Sequence, residues 1–269
     1  MTINPKDIMP RRGICGIMFA ITLSLCIFMQ GCGMKSPELK IYALKYGESL
    51  FPQQYVFHGA AAGKTMNFCW LFYYIEYGDK KILVDTGFNN EKYIRLFSIK
   101  KYVRPAELLK RNSISPEDIT DIIFTHAHFD HIDGIDSFPG AGIIISQTEL
   151  DLVKQGRYGV SMREKLAQFK NITSFSDEYM LYEIFKIKKT GGHTPGSSVV
   201  YIDRSASKFC LTGDEVYTKE NLERGVMNGT VTSAANNMSF IRNYDKNYTP
   251  LTFHNPEYYG SSDTFIRIY

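Results

Sequence analysis

Asp121-Ile122-Ile123-Phe124-Thr125-His126-Ala127-His128-Phe129-Asp130-His131 is the stretch on which the fold of this chain turns. Its first five residues read as a short buried strand, apolar and β-branched, and four ligand-type side chains follow within six residues. At a period of two, His126 and His128 project to the same side where the strand runs out. The turn that follows lets Asp130 and His131 aim back at an adjacent point, so one loop can serve two neighbouring metal ions. Only six histidines occur in the 269 residues, and three of them stand here.

Working outward, residues 69–77 and 81–84 are β-branched and aromatic runs separated by Gly78-Asp79-Lys80, which predicts a hairpin. Helical spacing marks residues 90–99 and 105–111, and Ser115-Pro116-Glu117-Asp118 predicts an N-cap with Pro at the first helical position. Further strands are expected at 142–146, 199–202 and 209–212, with helices at 149–155, 162–169 and 233–241. Strands alternating with helices indicate α/β layering. No internal repeat or composition shift marks a second domain in the body of the chain.

The N-terminal 31 residues have a different character. Lys6, Arg11 and Arg12 precede an uncharged apolar run that ends in Met29-Gln30-Gly31-Cys32. This resembles a bacterial lipoprotein signal, in which a small residue precedes a Cys that is acylated after cleavage. An uncleaved anchor helix is the alternative, since residues 13–29 reach the lower edge of what spans a bilayer. Both place residues 32–269 outside the cytoplasm, tethered to a membrane, as one domain. Taking away the leader's three basic residues and Asp7 lowers the net charge from +3 to +1. A body so close to neutral carries no electrostatic footprint for nucleic acid.

Two cysteines, Cys69 and Cys210, remain in the body. They make no disulfide framework and read as buried free thiols, with a bridge between them as the alternative that an exported location permits. Gly59-Ala60-Ala61-Ala62-Gly63-Lys64-Thr65 looks like a phosphate loop but is one residue short between its glycines, so it is read as a loop near the pocket mouth. His58 beside it is left without a role.

Three more segments complete the picture: His193 in Gly191-Gly192-His193-Thr194-Pro195-Gly196-Ser197, Asp214 in Leu211-Thr212-Gly213-Asp214, and His254 in Phe253-His254-Asn255-Pro256. With them the chain resembles the metallo-β-lactamase superfamily, whose hallmark is HxHxDH followed by a His, an Asp and a last His. The resemblance runs from about Leu39 to the C-terminus and implies an αββα sandwich with the metals at one sheet edge. It implies that His126, His128 and His193 hold one ion, that Asp130, His131 and His254 hold the other, and that Asp214 bridges. It also covers Leu83-Val84-Asp85-Thr86-Gly87, implying that Asp85 orients a ligand histidine from behind, where a carboxylate fixes the tautomer and raises basicity. Two divalent ions are implied, zinc first, although the same donors suit iron, manganese or cobalt.

Within the superfamily, Asp214 with His254 argues against a classical zinc β-lactamase, and His128 stands where flavin-linked di-iron relatives carry a Glu. Glyoxalase II shares the ligands but adds a helical C-terminal part, whereas 15 residues follow His254 here. Asp214-Glu215-Val216-Tyr217-Thr218-Lys219-Glu220-Asn221, together with Phe129, is similar to the N-acyl homoserine lactonases, in which a Tyr three residues after the bridging Asp contacts substrate. In those enzymes the last ligand stands in Gly-His-Asp, replaced here by Phe253-His254-Asn255. The implied reaction is attack by a hydroxide between the ions on a lactone or ester carbonyl, with Tyr217 at the oxyanion and Asp130 passing a proton to the departing alkoxide. Hydrolysis of a thioester or phosphodiester, or a non-catalytic metal-binding envelope lipoprotein, are the alternatives.

Overall fold

The structure is a computed structural model that describes residues 36–204 and 207–269. The leader and Cys32 lie outside the described residues. Among the described residues no helix is long and apolar enough to cross a membrane.

Strand β1 (Leu39–Pro52) runs into the single turn of α1 (Gln53–Val56) and pairs antiparallel along its length with β2 (Thr65–Tyr77), which returns as β3 (Lys80–Val84). The expected hairpin is present, its two-residue loop opened by Gly78 at φ +61. The short helices α2 (Lys92–Leu96) and α3 (Pro105–Arg111) then lead to β4 (Asp121–Ile123), and α4 (Phe129–Ile132) carries the second half of the ligand motif. Beyond it come β5 (Gly142–Ser146), α5 (Gln147–Lys154), α6 (Val160–Leu166) and β6 (Ile172–Phe175). The order β12-β1-β2-β3-β4-β5-β6 makes one seven-stranded sheet, with β12 (Phe265–Arg267) closing onto β1. A second sheet of five strands has the order β11-β10-β9-β8-β7, from β7 (Glu178–Leu181), β8 (Phe185–Lys189), β9 (Ser198–Arg204), β10 (Ser207–Leu211) and β11 (Thr249–Leu251). Helices α7 (Lys219–Arg224) and α8 (Ala234–Arg242) separate β10 from β11.

Alternation along the strands sorts the apolar side chains into three layers. Ile82, Val84 and Ile123 of the first sheet meet Ile187, Val200, Ile202 and Leu211 of the second in a core between the sheets. Their neighbours Leu83, Ile122 and Ile143 face the other way, onto Leu109, Val153 and Leu166 of α3, α5 and α6. On the far side, Val199 and Cys210 pack under Phe240 and Ile241 of α8. The expected αββα sandwich is the fold observed.

Several local expectations need correction. The helix expected over residues 90–99 shrinks to α2, and the one starting at Ser115 is a single 3-10 turn, Pro116–Asp118. Ser115 does not cap it; its hydroxyl donates to the Glu117 carboxylate instead. By contrast Ser146 caps α5 by accepting from the Glu149 N–H, and Ser233 caps α8 through Asn236. Cys69 and Cys210 are both free and buried, and burial pushes the Cys69 thiol up to about 12. The segment that resembles a phosphate loop feeds strand β2 at Thr65 and no helix follows it, so it lacks the N-terminal dipole such a loop uses.

Candidate metal centre

The clusters sit where strands end. β3 and β4 run parallel, and the chain leaves them through Asp85 and through Thr125-His126, side by side. Thr86 donates from both its N–H and its hydroxyl to the His131 carbonyl, at 2.7 and 3.0 Å, locking the two exit loops together. A Cβ on Gly134 would lie 2.3 Å from the Thr86 carbonyl oxygen, so this contact requires glycine there. From below, the Tyr46 hydroxyl donates to the Asp130 carbonyl at 3.1 Å.

His126, His128, His193 and Asp214 converge on one point, and Asp130, His131, His254 and Asp214 on another, the donor atoms of each set lying within 4.8 Å of one another. In the first set His128 Nδ1 lies 3.0 Å from His126 Nε2 and 2.9 Å from His193 Nε2, while Asp214 Oδ2 stands 3.7 and 3.5 Å from those two nitrogens. In the second, Asp214 Oδ1 is 3.3 Å from His131 Nε2 and 3.2 Å from His254 Nε2, and Asp130 Oδ2 is 3.4 and 3.6 Å from the same atoms. Four donors about 2.1 Å from a tetrahedral ion stand roughly 3.4 Å apart. Asp214 thus turns one oxygen to each set.

Four of the five imidazoles are aimed by what their other nitrogen touches. His131 Nδ1 donates to Asp85 Oδ2 at 2.6 Å, His193 Nδ1 to the Thr230 carbonyl at 3.0 Å, and His254 Nδ1 to the Cys69 carbonyl at 3.0 Å. His126 Nδ1 lies 3.1 Å from the Thr125 hydroxyl. All seven residues named from the sequence come together, and Asp85 stands behind His131.

The electrostatics fit cations. Asp85, Asp130 and Asp214 are buried together, and among the described residues every ion-pair partner within 4 Å of them is a histidine. Burial, followed by the neighbouring histidines, drives His126 well below its ordinary value; burial with His193 takes His128 down to about 4. Burial alone would lower His131 too, but Asp214, Asp130 and Asp85 carry it well above the usual range. Burial would likewise raise Asp214, yet His131 and His254 hold it well below the carboxylate range. Most telling, His131 Nε2 and Asp214 Oδ1 are buried without a hydrogen-bond partner. Buried polar atoms left in this state are costly, and a divalent ion bound between such donors satisfies them.

Above the clusters opens a cavity of about 590 Å³ lined by His128, His193, Asp214, His254 and, on its apolar side, Phe51, Phe68, Trp70, Phe97 and Phe129. Tyr217 is part of its wall, its ring centroid 5.7 Å from that of His193 and 5.2 Å from that of His254. The Tyr217 hydroxyl lies 3.0 Å from Thr230 Oγ1, and burial raises its pKa well above 10. His58 is exposed and belongs to neither set.

Sequence reasoning missed two buried carboxylates. Glu149, read only as part of a helix, accepts from Ala127 N (3.0 Å) and Tyr158 OH (2.7 Å) on one oxygen and from Thr194 Oγ1 (2.6 Å) and Gly196 N (3.0 Å) on the other. It ties the loop of His126 and His128 to the loop of His193. Glu215 is the second.

Comparison with known proteins agrees with the geometry. A family model for the metallo-beta-lactamase superfamily matches residues 71–262, and the chain belongs to that family. An N-acyl homoserine lactonase of Bacillus thuringiensis is 29% identical over 199 residues, covering 68% of this chain and 78% of the relative. A probable metallo-hydrolase of Methanocaldococcus jannaschii is 30% identical over 190 residues, 65% of this chain and 84% of that protein. Among solved structures, an N-acyl homoserine lactone hydrolase with the product N-hexanoyl-L-homoserine at its catalytic metal centre shares the fold with a TM-score of 0.72 at 24% identity, covering 83% of this chain and 95% of that one. Family, relatives and clusters together define a metal-dependent hydrolase.

Proposed function

We propose that the protein hydrolyses the ring ester of N-acyl homoserine lactones, with His126, His128, His193 and Asp214 holding one divalent ion and Asp130, His131, His254 and Asp214 the other. The observation that carries the reading is the place of Tyr217, whose ring lies against a histidine of each cluster inside the cavity wall. Likeness to the Bacillus lactonase supports the substrate class. Zinc suits the imidazole and carboxylate donors.

Two such ions supply Lewis acidity and a water acidic enough to attack at neutral pH. The protein supplies the rest. Tyr217 keeps its proton at neutral pH because burial disfavours the phenolate, so its hydroxyl donates to the carbonyl oxygen as negative charge develops there. Asp130, held ionised chiefly by His131 against the pull of burial, accepts a proton from the attacking water and passes it to the departing ring oxygen. Asp85 keeps the His131 proton on Nδ1 and leaves the lone pair of Nε2 to face an ion. The products are one hydroxyl and one carboxylate on a single chain.

The test is a panel of N-acyl homoserine lactones, thioesters, phosphodiesters and β-lactams run on metal-replete protein, read by product mass. Lactones heavier by one water are expected. Closed lactones beside an efficiently cleaved thioester or phosphodiester would overturn the lactonase reading.

We also propose that residues 1–31 direct export and that Cys32 becomes the acylated N-terminus, supported by the basic, apolar and Gly31-Cys32 order. Mass spectrometry of the membrane fraction checks this, and an intact peptide from Met1 would contradict it.

A further inference from the structure

Next to Asp214 in the chain, Glu215 is fully buried and has no catalytic part in the scheme above. Its Oε1 accepts four hydrogen bonds: from Gly192 N at 3.0 Å, His193 N at 3.1 Å, Thr190 Oγ1 at 2.7 Å and Ser197 Oγ at 2.5 Å. Its Oε2 accepts from Asn237 Nδ2 at 2.9 Å. All five donors are neutral. Two successive backbone N–H groups turned onto one oxygen form an anion-binding nest, shaped by Gly191 at φ +66. A Cβ on Gly192 would lie 2.2 Å from Oε2, so the loop admits no larger residue where the carboxylate sits.

Solvating a buried carboxylate with five neutral donors is an expensive way to hold a loop. What sets this one apart is what the two ends of the contact carry. One end is the backbone of His193, whose imidazole faces the first cluster; the other is the residue that follows Asp214, which faces both. We infer that Glu215 is a positioning residue that sets the spacing between His193 and Asp214, and thereby the affinity of the first cluster for its ion. The inference rests on the ligand assignment above, and its test separates the two.

The experiment is Glu215→Gln in the full-length protein, with zinc affinity measured by chelator competition and histidine imidazole resonances followed during titration. Glutamine keeps the length but turns an amide toward Asn237 Nδ2, donor against donor. The expected result is a ten- to hundredfold weaker binding of one ion, as for other partners that orient ligands. The His193 resonances should then shift late in the titration, while those of His254 shift at the wild-type concentration. Should that variant fail to fold, Ser197→Ala removes the shortest contact and leaves the charge, and a smaller loosening confined to the same ion is expected. Affinities unchanged from wild type for both ions, or equal weakening of both, in whichever variant is folded would overturn the positioning role. Absence of zinc binding by the wild-type protein would instead overturn the ligand assignment.

Discussion

Asp85 and His131 form a carboxylate–imidazole pair, Oδ2 to Nδ1 at 2.6 Å, across 46 residues of sequence and out of reach of water. Asp85 holds this position at φ +63, in a region that costs a non-glycine residue about 1 kcal/mol or more, and Thr125 donates to it from both N–H and hydroxyl. Strain retained at such a point is repaid by what it fixes, the tautomer of His131.

Replacing Asp85 by Asn should therefore weaken metal binding more than it weakens the fold. The amide would turn a donor toward Nδ1, move the imidazole proton to Nε2 and aim it at the second cluster. Affinity for one ion is expected to fall roughly ten- to a hundredfold, read by zinc titration. Unchanged affinity would show that the pair does not set the tautomer.

Asp214 serves both clusters, whereas His128 serves one. Asp214→Ala should lose both ions and nearly all hydrolysis; His128→Ala should lose one ion and most of the rate. Elemental analysis of the purified variants distinguishes them, and full occupancy with unchanged turnover in Asp214→Ala would refute the bridging role.

For Tyr217→Phe the ring and its packing remain and one donor goes. A hydroxyl that bonds charge present only in the transition state predicts a fall in kcat of roughly ten- to a thousandfold with metal content intact. A change in KM alone would make Tyr217 a binding residue instead.

Stability of the metal-free protein should depend on pH in a stated direction. His128 titrates near 4 when folded against 6.5 when unfolded, and His126 is shifted the same way, so the unfolded chain takes up their protons first. Each then removes up to about 1.4 kcal/mol per pH unit as pH falls from 6.5 towards 4. His131 is shifted upward, so its contribution is in place below pH 6.5 and is lost only as pH rises through its folded value. Urea melts of chelated protein at pH 6.5 and 5 are the check. A midpoint that does not move down at pH 5 would contradict the burial of neutral imidazoles.

The metal ligands were legible because their chemistry is concentrated in sequence: HxHxDH declares itself within six residues, and the partners stand in recognisable loops. Helix α3 and strand β5 fall where spacing put them. Strand β1 did not announce itself, since Lys45 and Glu48 break its apolar pattern. Both are buried, paired with each other at 3.3 Å, and Lys45 also reaches the carbonyls of Tyr258 and Ser261, more than 200 residues away. Such satisfaction is invisible locally. Strand β8 was missed for a related reason, because Lys186, Lys188 and Lys189 leave few apolar positions to count. Glu149 and Glu215 looked like ordinary charges because most of their partners are backbone N–H and hydroxyl groups from distant loops.

The donors of the two clusters also differ in when they leave the ribosome. Every ligand of the first cluster has been made by residue 214, whereas the second waits for His254, which is aimed from the Cys69 carbonyl and follows Phe253, whose own carbonyl accepts from Leu71 N. A chain clipped near residue 250 would keep every ligand of the first set and lack His254 of the second, so a metal-to-protein ratio below two is the signature expected of a missing C-terminal stretch.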